Sequence, residues 1–186
     1  MELGLKNKVA IVGGGSMGIG YGIADRLAGE GANLVVFARR VPKLEAAAKT
    51  LSEKHGVKVI PVSADIRDQD ESGRIVQTAI DQFGRLDILV NNDGAPPLGS
   101  IELFDDVAWQ KAVEQNLFSV IRMVRSALPH LKAAGSGSVL NISAISAIQP
   151  IAGFGLSVAT WAGLIGYAKT LSIEIAKYGI NVNTIC

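Results

Sequence analysis

Gly13-Gly14-Gly15-Ser16-Met17-Gly18-Ile19-Gly20 follows directly on an apolar run, Lys8 to Gly13, and leads into a helical pattern that carries Ile19, Ile23, Leu27 and Ala28 and closes at Gly29 to Gly31. So many glycines let the backbone turn sharply and approach a bound group closely. The helix behind them offers free N–H groups and the positive end of its dipole. Two phosphate-binding fingerprints overlap here. Gly13, Gly15 and Gly18 satisfy G-x-G-x-x-G, and Gly14, Gly18 and Gly20 satisfy G-x-x-x-G-x-G. Placement between an N-terminal strand and a helix ties them to a βα unit that holds a pyrophosphate.

Working outward, strand and helix patterns alternate. Leu34 to Ala38 reads as a buried strand, and Val41 to His55 as a helix with Leu44, Ala47, Ala48 and Leu51 on one face. Val57 to Val62 is the next strand. Asp68 and Glu71 have capping-box spacing ahead of a helix through Ile75, Ile80 and Phe83. A strand at Leu86 to Val90 precedes one long helix from Asp106 to Lys132. A strand at Ser138 to Ser143, a helix from Leu156 to Tyr178 and a strand at Ile180 to Ile185 complete the pattern. Strands without internal alternation, separated by helices, predict a parallel sheet covered on both faces. The chain therefore reads as a single α/β domain, a doubly wound parallel sheet of Rossmann type.

Composition narrows the function classes. A chain of 186 residues, 48% of them apolar, is long enough for one domain with a full core. Eighteen basic against seventeen acidic residues leave a formal charge of +1, which argues against nucleic acid or an anionic membrane as partner. Cys186 is the lone cysteine, so no intrachain disulfide forms, and no Cys/His cluster has metal-ligand spacing. His55 and His130 are isolated and read as solvated surface residues. Met1 to Lys6 lacks the pattern of a signal peptide. No charge falls between Lys132 and Lys169, yet Gln149 and Pro150 interrupt that apolar stretch, and Ser157 and Thr160 lie within it. A buried helix is expected there rather than a membrane span, in a cytoplasmic protein.

The end of the second strand discriminates between nicotinamide cofactors. An acid there would hydrogen-bond the adenosine 2′-hydroxyl and repel a 2′-phosphate. Here Ala38 is followed by Arg39 and Arg40, two guanidiniums suited to a phosphate. NADP(H) is expected in preference to NAD(H); the alternative is two surface charges at a strand end.

With these stretches in hand, the sequence resembles the short-chain dehydrogenase/reductase family along essentially its whole length. The resemblance is carried by Gly14 to Gly20, Asp65-Ile66, Asn91-Asn92-Asp93-Gly94, Asn116, Gly137 to Ser143 and Tyr178 to Asn183, in that order. It implies that Gly14, Ser16, Met17, Gly18, Ile19 and Gly20 cradle the pyrophosphate and that Arg39 and Arg40 face the adenosine ribose. Asp65 would meet the adenine amine and Ile66 the adenine ring, with Asn91 and Gly94 along the ribose and nicotinamide; no metal is implied. The family transfers hydride to or from a carbonyl or alcohol. A tyrosine acts as acid, a lysine four residues on lowers its pKa, a serine thirteen residues before the tyrosine polarises the carbonyl, and an asparagine supports a relay water. A phenol near pKa 10 works poorly at neutral pH without such a neighbouring cation.

The register places Ala144 at the serine position, Ser157 at the tyrosine and Trp161 at the lysine, so that Asn116 alone of the four persists. Tyr167 and Lys169 do not have the required i, i+4 spacing. Loss of a positioned general acid typically costs about 10²- to 10⁴-fold, and such losses are not additive. Gly13 stands where the family has a threonine that ties the glycine loop to the Asn-Asn turn. Asp93 replaces an alanine, and Met17 replaces a basic residue common in NADP(H)-preferring members. The family also continues past the counterpart of Asn183 to Cys186 with a lid and a last strand, so a truncated C-terminus is expected. Three readings result. The first is a nucleotide-binding pseudoenzyme or partner subunit, a homo- or hetero-oligomer through the 106–132 and 156–178 helices. The second is a divergent NADP(H)-dependent oxidoreductase with weak or altered chemistry. The third is non-redox chemistry using Asp93 or Ser143.

Overall fold

Short apolar runs of four to six residues become the strands, and the 3.6-period stretches between them become the covering helices. The structure, a computed structural model, describes residues 3–92 and 94–186. In order it contains β1 (Val9–Gly13), α1 (Gly18–Gly29), β2 (Asn33–Ala38), α2 (Val41–His55), β3 (Val59–Ser63) and α3 (Glu71–Phe83). The second half adds β4 (Ile88–Asn91), α4 (Asp106–Val113), α5 (Ser119–Ala133), β5 (Gly137–Ile142), α6 (Gly155–Ile175) and β6 (Ile180–Ile185). All pairings are parallel, in the order β3-β2-β1-β4-β5-β6. The chain reverses its direction of winding between β1 and β4, which opens a crevice at the carboxyl ends of these strands.

Side-chain alternation along β1 divides the core. Val9 and Ile11 join the cluster under α3, α5 and α6, with Ile75, Met123, Leu131 and Leu164. Ala10 and Val12 face the other way, onto Ala24 and Ala28 of α1 and Leu44 and Leu51 of α2. Ile11, Leu34, Leu44 and Leu51 are wholly removed from solvent, each contributing on the order of 1.5–3 kcal/mol of transfer free energy. The lower edge is fastened by Asp87, buried at the start of β4, which accepts from the Val9 N–H (2.9 Å), Lys8 Nζ (3.0 Å) and Arg85 Nε (2.9 Å). Burial alone would raise its pKa; the Arg85, Val9 and Lys8 donors outweigh that and hold it below the ordinary carboxylate range.

Several expectations need correction. The inner face of α1 is Gly20, Ala24 and Ala28; Ile23 and Leu27 pack only at its flank, and Ile19 is 65% exposed. The glycine loop brings this helix so close to β1 that only small residues fit beneath it. The Asp68–Glu71 capping box does not form, because Glu71 pairs with Arg74 while the Asp68 carboxylate accepts from the Asp70 N–H. The expected long helix is interrupted by a π-helical turn, Glu114–Phe118, where the Ser119 N–H reaches back five residues to the Glu114 carbonyl. His55 is not a free surface residue: its Nε2 lies 2.7 Å from Asp25 Oδ1, which also takes Lys54, joining α2 to α1. Among the described residues no helix is long and apolar enough to cross a membrane. Small residues Ala159, Ala162, Gly163 and Gly166 lie on the outer, exposed face of α6.

Candidate functional site

β1 delivers its last residue, Gly13, into a loop that leaves no room for a side chain at Gly13, Gly14 or Gly20. Gly14 adopts φ +63°, and a Cβ on Gly20 would sit 2.5 Å from both the Gly13 and Gly14 carbonyl oxygens. Met17 is extended and makes no side-chain cap, and the first turn of α1 carries no acid. The helix therefore presents uncapped N–H groups and an uncompensated positive dipole end, which suits a phosphate.

The missing threonine tie at Gly13 is replaced from the opposite side. Asn92 Nδ2 donates to the Gly13 carbonyl at 3.0 Å, and the Gly15 N–H reaches the Phe37 carbonyl at 3.3 Å. A Cβ at Gly13 would lie 2.9 Å from the Asn92 carbonyl oxygen and 2.9 Å from Phe37 Cζ, so glycine here is matched to the phenylalanine at the end of β2.

In front of the loop lies a cleft of about 280 Å³. Of the anticipated residues it brings together Gly14, Ser16, Met17, Arg39, Arg40, Asp65, Ile66 and Gly94. Gly18 and Ile19 are exposed in the first turn of α1, and Gly20 is buried beneath the loop. Asn91 is turned away: it is buried and donates to Asn141 Oδ1 at 2.8 Å. Asp93 lies outside the described residues. Phe37, Arg67, Asn92 and Gln115 also line the cleft, though sequence reasoning did not single them out. The only advance signal for Arg67 was its position two residues after Asp65, a spacing that favours local side-chain to backbone bonding.

The end of the cleft beside β2 and β3 is cationic. Arg39 and Arg40 are exposed, and their guanidiniums form no hydrogen bond or ion pair among the described residues. Asp65 is instead engaged by Arg67 Nε (2.9 Å), by Arg67 Nη2 and by the Arg67 N–H (3.1 Å). The Arg67 side chain is the main reason the Asp65 carboxyl is held below its ordinary pKa; desolvation opposes, and the charges of Arg67 and Arg39 add.

The positions of the reaction chemistry lie elsewhere. None of Ala144, Ser157, Trp161 or Asn116 lines the cleft. Asn116 sits in the π-helical turn, 2% exposed, its Nδ2 donating to Thr160 Oγ1 at 3.0 Å and its Oδ1 without a partner. Thr160 in turn donates to the Leu156 carbonyl at 2.8 Å. Ser157 is 1% exposed with an unpartnered Oγ. Trp161 packs against the larger core cluster. Burial, then the charge of Glu174, raises the Tyr167 phenol above its usual pKa, with Arg125 opposing; it is no candidate for a neutral-pH base. No group of His, Cys, Asp or Glu among the described residues could hold a metal ion.

The glycine cradle, uncapped helix and unbonded guanidiniums suit a phosphorylated ligand. The family model for short chain dehydrogenases matches residues 8–186. A human relative, dehydrogenase/reductase SDR family member 4, is 35% identical over 182 residues, 97% of this chain; the chain spans 65% of that relative's length. L-Sorbose reductase from Gluconobacter frateurii, solved with NADPH and L-sorbose, superposes with a TM-score of 0.96 at 36% identity, over 99% of this chain and 70% of its own. Carveol dehydrogenase from Mycobacterium avium, solved with NAD, superposes at 0.91 with 26% identity, over 96% of this chain and 69% of its own.

Proposed function

The chain belongs to the short-chain dehydrogenase/reductase family, and from that premise we propose that it is an NADP(H)-binding member that keeps the nucleotide half of the site without the acid–base half, serving as a pseudoenzyme or partner subunit. The observation that carries this reading is which residues remain. Two guanidiniums, Arg39 and Arg40, line the cleft, while Ala144, Ser157 and Trp161 occupy the positions matched to the family's serine, tyrosine and lysine. The glycine loop and the α1 N-terminus bind pyrophosphate, and Arg39 and Arg40 take the ribose phosphate. The neighbour solved with NADPH supports a phosphorylated cofactor, although another neighbour carries NAD.

A bound nicotinamide would supply hydride chemistry, but Ala144, Ser157 and Trp161 offer it no competent proton donor. Ser157 is a weak acid sealed from solvent, and Trp161 has a single N–H and no charge to stabilise a phenolate or fix a ribose. Its relatives include active reductases by name, so the contrasting reading is a divergent oxidoreductase. Asn116 favours that reading, since its amide is already anchored and its Oδ1 is free for a relay water. The outer face of α6, with Ile173 70% exposed, and Phe118 (44% exposed), just before α5, form the surface through which we place a second copy or a homologous partner.

Calorimetric titration with NADPH and NADH, followed by NADPH oxidation assays over a panel of ketones and aldehydes, tests the proposal. NADPH binding tighter than NADH, with no turnover above background, is the expected result. Turnover with any carbonyl would establish the oxidoreductase reading instead. Binding of neither nucleotide by the folded chain would remove the proposal.

A further inference from the structure

The acid that the end of β2 lacks is present one strand away. The β2–β3 register pairs Ala38 with Ser63, and the Ala64 N–H reaches the Ala38 carbonyl at 3.2 Å. The segments that follow these strand ends, Arg39-Arg40 and Asp65-Ile66-Arg67, therefore leave the sheet side by side and line one cleft. Asp65 is close enough to feel the charge of Arg39. A free carboxylate in that place would do two things. It would repel a phosphate on the adenosine ribose, and it would draw Arg39 into an ion pair, removing one of the two cations available to that phosphate.

Arg67 prevents both. Its guanidinium engages both carboxylate oxygens of Asp65, with Nε at 2.9 Å from Oδ1 and Nη2 on Oδ2, and its own N–H adds a third bond at 3.1 Å. A bidentate fork of this kind is the strongest pairing open to a carboxylate on a protein surface. Three bonds to one carboxylate still leave lone-pair capacity for an exocyclic amine. The guanidiniums of Arg39 and Arg40, by contrast, make no hydrogen bond or ion pair among the described residues.

Resting on the nucleotide-binding reading above, we infer that Arg67 is a specificity-determining residue of this cleft, one that acts through Asp65: by occupying that carboxylate it keeps Arg39 and Arg40 free to take a phosphate monoester on the adenosine ribose. Arg67 is thus a positioning residue and not itself the phosphate ligand. The distinction has a definite consequence. Removing Arg67 releases Asp65 to capture Arg39, whereas removing Asp65 as well releases Arg39 again.

The experiment is a set of calorimetric titrations of wild type, Arg67→Gln and the double variant Asp65→Asn/Arg67→Gln with NADPH and with NADH. The ratio of the two affinities is taken within each variant, so a change in the folded fraction cancels, and thermal unfolding midpoints confirm that these loop substitutions leave the fold intact. In Arg67→Gln the preference for NADPH falls by about tenfold, the weight of one charge-assisted contact. In the double variant both nucleotides bind more weakly through the lost adenine contact, yet the preference returns to within about threefold of wild type. An unchanged ratio in Arg67→Gln overturns the inference. So does a lowered ratio that the second substitution fails to restore, since Arg67 would then touch the phosphate directly. Wild type that binds neither nucleotide sinks the underlying functional reading, and wild type without preference sinks the role of Arg39 and Arg40 along with that of Arg67.

Discussion

Gly20 and Gly22 lie in the same turn of α1 and respond oppositely to the same substitution. A Cβ on Gly22 meets nothing within 4 Å. Gly22→Ala therefore adds only helix propensity, a stabilisation of about 0.5–1 kcal/mol. A Cβ on Gly20 lands 2.5 Å from the Gly13 and Gly14 carbonyl oxygens and 2.7 Å from Asn92 Nδ2. The two oxygens are main-chain atoms, and the Gly13 oxygen is further held by the Asn92 amide. Neither can rotate away, so the loop itself must shift. Overpacking of a well-filled site costs about 1–3 kcal/mol, and displacement of the Asn92 bond adds about 1 kcal/mol. Offset by the propensity gain, Gly20→Ala should be net destabilising by about 2 kcal/mol. Urea denaturation of the two variants beside wild type reads both effects: the midpoint rises for Gly22→Ala and falls for Gly20→Ala. Nucleotide titration should show at least a tenfold loss for Gly20→Ala alone, because the displaced loop is the pyrophosphate cradle. A Gly20→Ala protein as stable as wild type would refute the close approach of loop and helix on which the site geometry rests.

Asp87→Asn should cost about 2 kcal/mol at pH 7. The folded pKa of Asp87 is lowered, so its stabilisation is complete above the unfolded value of about 3.9 and is lost as pH falls through the folded value; the gap between variant and wild-type unfolding free energies should narrow in acid. Asn92→Ala removes the one side-chain bond to the Gly13 carbonyl among the described residues and should destabilise by about 1 kcal/mol, with weakened nucleotide binding by calorimetry. The triple variant Ala144→Ser, Ser157→Tyr, Trp161→Lys should lose about 2 kcal/mol, because a phenol must enter a fully buried serine site, and NADPH oxidation assays on carbonyls should stay at background. Ile173→Glu, on the exposed face of α6, should shift the protein toward monomer in sedimentation experiments while its circular dichroism stays that of the folded chain, its unfolding midpoint falling only by what the lost association contributed.

What could be read in advance follows from locality. The limits of α2 and its buried face, Leu44, Ala47, Ala48 and Leu51, depend on a periodic pattern with Gly56 in a left-handed C-cap, and all of that lies within one stretch of chain. The glycine run was equally legible. Long-range geometry was not. The inner face of α1 is set by close approach to β1, which selects smallness, a property that an apolar periodicity does not report. His55 was misassigned because its partner, Asp25, is thirty residues away on another helix. The π-helical turn at Asn116 has no local sequence signature, since its side-chain anchor, Thr160, is supplied by α6. Arg67 escaped notice because its role depends on the neighbouring end of β2, and sequence order does not place Arg39 beside Asp65.

Folding alone accounts for some of these site residues and not for others, and that difference decides where the functional argument rests. Gly13, Gly20, Phe37 and Asn92 touch one another in the packed turn above β1. Substituting them disturbs the core whether or not a nucleotide binds, so their presence is explained by stability. Ser157 and Trp161 are likewise accommodated by packing, one buried and the other against the core. The Arg39 and Arg40 side chains make no hydrogen bond, ion pair or helix cap among the described residues. Adjacent like charges at a strand end repel each other by a few tenths of a kcal/mol in water, and the nearby Asp65 charge that works against this is already engaged by Arg67. The two uncompensated guanidiniums find their match in the anion we propose at the adenosine ribose. The ligand argument therefore rests on the three arginines more than on the glycine motif, and the substitutions that probe them leave the fold untouched.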